Sequence, residues 1–166
     1  MSTAKVPQMK LLTWIYEQAS LTSEFSLKVS DNLERQANTL LNILLVGAGG
    51  ALAYVINLIG SRSSEWLLWG MIGSSSWLFL TAVILIYKCL WCNNLYGPAN
   101  DPKNLLQAEA NYRIDEVMRF ELEHRQLAIE KNRQRNYKVS RWLNIVRAMA
   151  AFTPLLFGIS AALVYL

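Results

Sequence analysis

Three stretches of this chain run for about twenty residues each without a single charge: Leu40–Gly60, Trp66–Tyr87 and Ala148–Leu166. A helix of about 20 residues rises about 30 Å, the thickness of a bilayer's hydrocarbon core. A soluble helix of that length needs a polar face, and these runs have none. Within 166 residues, 53% of them hydrophobic, too little protein remains to bury three such helices in water. The expected fold is an all-α integral membrane protein with three transmembrane helices, an N-terminal amphipathic helix and one long cytoplasmic helix.

The flanks of the runs support this reading. Trp66 and Trp69 open the second run, while Tyr87, Lys88 and Trp91 close it. Trp142 precedes the third run and Tyr165 ends it. Trp and Tyr favour the headgroup zone, and Lys and Arg mark its water side. Residues 1–39 carry four Lys and Arg, residues 61–65 one (Arg62), and residues 88–141 ten. The positive-inside rule then places 1–39 and 93–141 in the cytoplasm, with a transmembrane hairpin over 40–92 (spans 40–60 and 66–87) and a third transmembrane helix over 142–166. The expectation is a multi-pass protein of a bacterial inner membrane, N-terminus inside and C-terminus outside. Residues 1–39 lack an apolar signal-peptide core, so the first span is expected to act as an uncleaved insertion signal.

In the N-terminal segment Leu21, Phe25, Val29, Leu33 and Ala37 recur every four residues, a helical stripe leading into Leu40 and Leu44. A turn is expected near Ser20–Ser23. Four acids balance four bases here, which disfavours adsorption to an anionic membrane and favours docking onto the other cytoplasmic helix. That second helix is expected to start at Asp101-Pro102, after the turn Asn93–Asn100, and to run to about Val139. Glu109–Arg113, Asp115–Arg119 and Glu121–Arg125 are acid-then-base pairs four apart. Leu106, Ala110, Ile114, Val117, Met118 and Leu122 supply its apolar stripe. A helix this long must fold back on the N-terminal helix or pack on copies of itself.

Small residues within the runs (Gly47, Gly49, Gly70, Ser74) have the spacing that lets helices approach closely in lipid. Asn42, Asn57 and Asn144 are candidates for interhelical hydrogen bonds or for lining a polar path. Arg147, five residues past Trp142, either snorkels to the cytoplasmic surface or forms a charged collar in a ring of subunits. Pro154 frees the carbonyl of Ala150 near mid-membrane, where a kink could serve a gate. Cys89 and Cys92 form a lone C-x-x-C, too few ligands for a zinc site. No metal, no cofactor and no enzymatic activity are expected, and nucleic acid is not an expected partner. The expected partners are the lipid bilayer, identical subunits and a cytoplasmic protein trigger.

Arg119 and His124 enclose an R-x4-H pattern that resembles the motif of HEPN-type ribonucleases, and the resemblance makes them catalytic candidates. Five residues apart on one helix places them about 140° apart, on different faces. In layout, the tightly looped spans Leu40–Gly60 and Trp66–Tyr87 with their cytoplasmic helices resemble small membrane effectors of bacterial anti-phage defence, such as SLATT-type effectors and CRISPR-associated membrane accessory proteins. The resemblance implies an oligomer that permeabilises or depolarises the membrane when a cytoplasmic sensor fires. The third span departs from the two-span pattern. The alternative expectations are a non-conducting interaction protein (an immunity or exclusion protein, or an inner-membrane component of a secretion or conjugation machine) and a membrane-tethered ribonuclease.

Overall fold

The structure, a computed structural model, describes residues 5–60, 65–91, 95–97 and 112–163. Among these residues all regular structure is helical, without strands. Helix α1 spans Lys5–Gly60, α2 Glu65–Leu85, α3 Ile114–Ala151 and α4 Thr153–Ala162. A π-helical turn, Ile86–Leu90, carries α2 to its end, closed by the Trp91 amide donating to the Ile86 carbonyl at 2.7 Å. Two helices are long and apolar enough to cross a membrane, and a third span exists if α3 and α4 count as one bent rod. The expected helix start at Asp101-Pro102, the Glu109–Arg113 pair, Leu106, Ala110 and Cys92 lie outside the described residues.

The chain divides into two compact units, Met1–Asn32 with Asn93–Tyr137 and Leu33–Cys92 with Lys138–Leu166. The core of the second unit is built by Ala37 and Leu44 from α1, Ala82 and Leu85 from α2, Cys89 from the π turn, and Val139, Leu143 and Val146 from α3. Spacings of seven (Ala37–Leu44, Ala82–Cys89, Val139–Val146) keep each helix's contribution on one face. In this unit α2 also packs along α4, and the approach is close. A Cβ on Gly70 would lie 2.7 Å from the Phe157 ring, and one on Gly73 would meet the Ser160 side chain.

In the first unit α1 and α3 run parallel. Tyr16 and Ser20 bond Arg125, and ten residues further on Ser26 and Ser30 bond Asn136. The seam on α1 is Tyr16, Ala19, Ser23, Ser26 and Ser30, alternating steps of three and four. The opposing seam on α3 is Glu121, Arg125, Ala128 and Asn132, stepped the same way. This is the 3.5-residue period of a two-stranded coiled coil.

Two expectations are corrected here. The turn near Ser20–Ser23 is absent, because α1 is unbroken from Lys5 to Gly60. Thr22 Oγ1 bonds the Gln18 carbonyl at 2.9 Å and Ser30 Oγ the Ser26 carbonyl at 3.2 Å, so these hydroxyls find partners within the helix. The apolar stripe Leu21–Phe25–Val29–Leu33–Ala37 is the packing face only in its second half: Ala37 and Leu44 are buried with Leu33 and Leu40 packed against them, whereas Leu21 and Phe25 are exposed. A repeat of four advances 40° per step and winds off any fixed face, whereas a helix pair demands alternating threes and fours. The kink expected at Pro154 is present: the third run bends by 41° where α3 meets α4.

Candidate functional site

The bend between α3 and α4 is a built feature of the second unit. Pro154 occupies the first turn of α4, where its missing N–H costs no helical bond of α4 itself. It does deprive the Ala150 carbonyl of its usual donor, and Thr153 Oγ1 supplies one at 2.7 Å. The Met149 carbonyl accepts the Trp77 indole N–H at 2.8 Å and the Phe152 amide at 3.2 Å. Side chains from two helices thus replace the backbone donors withdrawn at the bend. In hydrocarbon an unsatisfied carbonyl would cost several kcal/mol, on the order of a lost backbone bond, so this arrangement suits a break at membrane depth. Ser75 Oγ bonds the Ala48 carbonyl at 3.1 Å, and Ser74 Oγ bonds the Gly70 carbonyl at 2.9 Å within α2.

Arg147 stands on an exposed part of α3. Its guanidinium donates to Gln36 Oε1 at 2.7 Å and to Asn144 Oδ1 at 3.3 Å. Both acceptors are neutral amide oxygens, so the charge is held in place without being cancelled. Gln36 on α1 was not legible as a partner from sequence, because 111 residues separate the two. In the π turn that ends α2, the Lys88 ammonium lies 4.8 Å from the Tyr87 ring and 5.2 Å from the Trp142 ring, and Tyr87 packs edge-on to Trp91 at 6.0 Å. These four residues form the aromatic and cationic cluster that a membrane–water boundary favours.

The small-residue candidates divide by surroundings. Gly70 and Ser74 are buried, with Gly70 against Phe157, so they serve contacts within the chain. A Cβ on Gly47 would meet Leu78 at 3.2 Å, while one on Gly49 would meet nothing within 4 Å. Asn42 and Gly49, seven apart, share an exposed face of α1.

In the first unit, Arg125 is 7% exposed. It donates to Ser20 Oγ at 2.8 Å and to the Tyr16 hydroxyl at 3.0 Å, and its guanidinium lies 4.5 Å from the Tyr16 ring. Asn132 exchanges two hydrogen bonds with the Tyr96 backbone, at 2.9 and 3.1 Å. The sequence offers Arg125 as the partner of Glu121 and gives no sign of its contacts with Tyr16 and Ser20 or of the role of Asn132. The signal that could have found them is their repeat of seven: Tyr16, Ser23 and Ser30 on one helix, Arg125 and Asn132 on the other. Arg119 and His124 are both exposed on α3, and the His124 ring packs edge-on to Phe120 at 4.5 Å. The expected Asp115–Arg119 pair gives way to Asp115 with Arg113, at 3.3 Å. Among the described residues no cluster of metal-ligating side chains occurs.

The chain matches no protein-family model, and neither a curated protein nor a solved structure is significantly similar to it.

Proposed function

We propose that this chain is an oligomeric, pore-like protein of a bacterial inner membrane, an effector that permeabilises or depolarises the membrane in anti-phage defence. Its N-terminus is cytoplasmic and its C-terminus lies outside. The observation that carries this reading is Arg147, an exposed guanidinium oriented by the neutral side chains of Gln36 and Asn144 just before an uncharged run. Several copies around an axis would make Arg147 a collar that draws anions in. Exposed large apolar side chains along the spans (Ile43, Val46, Ile56, Ile59, Phe79, Phe152, Leu155) supply surface for lipid and for neighbouring subunits.

The experiment is expression in bacteria with a potential-sensitive dye. The pore reading expects depolarisation by the native chain and its loss or altered ion dependence in Arg147→Glu. Cells that stay polarised with the native protein inserted and the trigger present would exclude a pore. They would leave the non-conducting interaction protein, a reading favoured by the exposed apolar side chains of the first unit.

A further inference from the structure

In the second unit, cations outnumber acids where α2 ends. Arg35, Lys88, Lys138 and Arg141 stand there against a single acid, Glu34, one turn before Ala37. The unit's other acid, Glu65, opens α2 at its far end. Among the described residues no ion pair joins Glu34 to any of the four cations. Trp77 meets Met149, Lys88 meets Trp142 and Cys89 meets Val139, so α2 and this part of α3 run antiparallel. In that register Lys138 falls level with Leu90 and Trp91, one helical turn from Trp142 and on the same side of α3.

Lys88 is exposed, and its ammonium rests on the Tyr87 and Trp142 rings without donating to an oxygen among the described residues. Rings hold a cation in place but leave its N–H groups without an oxygen acceptor. The indole N–H groups of Trp142 and Trp91 have no acceptor among those residues either, whereas Trp77 gives its own to the Met149 carbonyl. Toward the uncharged run, Tyr87, Val83 and Leu80 are spaced by four and three and all exposed, an apolar strip along one face of α2.

We infer that Lys88, Lys138 and Trp142 hold the phosphate of an anionic phospholipid, whose acyl chain lies along Val83 and Leu80. The inference rests on the membrane reading above and not on conduction. Charge selects the ligand. One cation offsets the partial negative charge of the free carbonyls at the end of α2, and Glu34 offsets another. The remaining two leave a surplus that an anionic headgroup neutralises. A zwitterionic headgroup carries a cation of its own into that surplus and gains less. The strip at Val83 and Leu80 offers burial to an acyl chain, which a soluble phosphate does not have.

Native mass spectrometry of the full-length protein in detergent counts bound lipid, with dioleoylphosphatidylglycerol, dioleoylphosphatidylcholine or inorganic phosphate as the probe. The phosphatidylglycerol is expected to bind more tightly than the phosphatidylcholine. Lys88→Gln and Lys138→Gln are each expected to weaken it about fivefold, and Lys88→Arg to keep it. Lys10→Gln, an equal change of charge in the other unit, is expected to leave it unchanged. Equal affinity for the two lipids overturns the site, and so does native affinity in Lys88→Gln. Inorganic phosphate that displaces the lipid at equal concentration would make this a simple anion site and overturn the lipid. Dimer mass in place of bound lipid would give the strip to a second copy, with the same consequence. Flotation with phosphatidylcholine vesicles tests the reading beneath. Variants that float like the native chain but lose the bound lipid support the site, whereas a native chain that does not float sinks the membrane reading and the site together.

Discussion

Ser30 donates its hydroxyl hydrogen to Asn136 Oδ1 at 2.8 Å, and Asn136 in turn donates to the Ser26 carbonyl at 3.1 Å. Both side chains are buried in a seam where a helix pair ordinarily places Leu or Ile. A polar pair in such a seam fixes which residue sits opposite which, at a cost in stability. Nearby, Ser23 Oγ, Ser26 Oγ and the Nε atoms of Arg125 and Arg135 are buried without a hydrogen-bond partner among the described residues.

Asn136→Ala removes the shorter of the two contacts of the Ser30 hydroxyl, leaving it the Ser26 carbonyl at 3.2 Å, and is expected to destabilise the protein by about 1 kcal/mol. Replacing both residues by apolar ones, Ser30→Val with Asn136→Leu, removes the polar pair as a whole and is expected to recover or exceed native stability. Thermal unfolding of the three proteins in one detergent checks this. A double variant less stable than Asn136→Ala would contradict it.

Tyr16→Phe removes the acceptor of one Arg125 hydrogen bond and keeps the ring beneath the guanidinium. A loss of about 1–2 kcal/mol is expected, since a buried charged donor loses a partner. Ser20→Ala, at the other nitrogen, should cost a similar amount. Denaturant midpoints of the two variants report both values.

Gly73 and Gly49 offer a contrast. A side chain at Gly73 collides with Ser160 of α4, so Gly73→Leu is expected to break the α2–α4 contact and cost about 3 kcal/mol or more. Gly49 faces open space, so Gly49→Leu should leave the fold of one chain intact. Any effect it has then falls on assembly, which native mass spectrometry separates from loss of fold.

Pro154→Ala restores an N–H that can reach the Ala150 carbonyl, in competition with Thr153 Oγ1. The 41° bend is expected to shrink. Spin labels on Met149 and Ile159 would then read a longer distance in Pro154→Ala than in the native chain, and an unchanged distance would place the cause of the bend elsewhere.

The long apolar helices were legible in the sequence because absence of charge over twenty residues is a one-dimensional property. The break at Phe152 was legible through Pro154, and the carbonyl it deprives, Ala150, was named correctly. The satisfying groups, Thr153 and Trp77, required the fold. The seam between α1 and α3 is hidden in the sequence because hydrophobicity, the usual marker of a packing face, does not run along it. Here the packed residues are Ser23, Ser30, Asn132 and Asn136, and the apolar Leu21 and Phe25 point elsewhere. Only spacing carries that information, and spacing becomes decisive only once the partner helix is known. Gln36 as the partner of Arg147 has no local signature at all.

The central claim is conduction through an assembly of this chain, and currents across a planar bilayer containing the purified protein test it most directly. The account predicts discrete current steps whose reversal potential follows the anion gradient in the native protein and turns toward the cation gradient in Arg147→Glu. A silent bilayer, with the protein inserted and assembled, would contradict it.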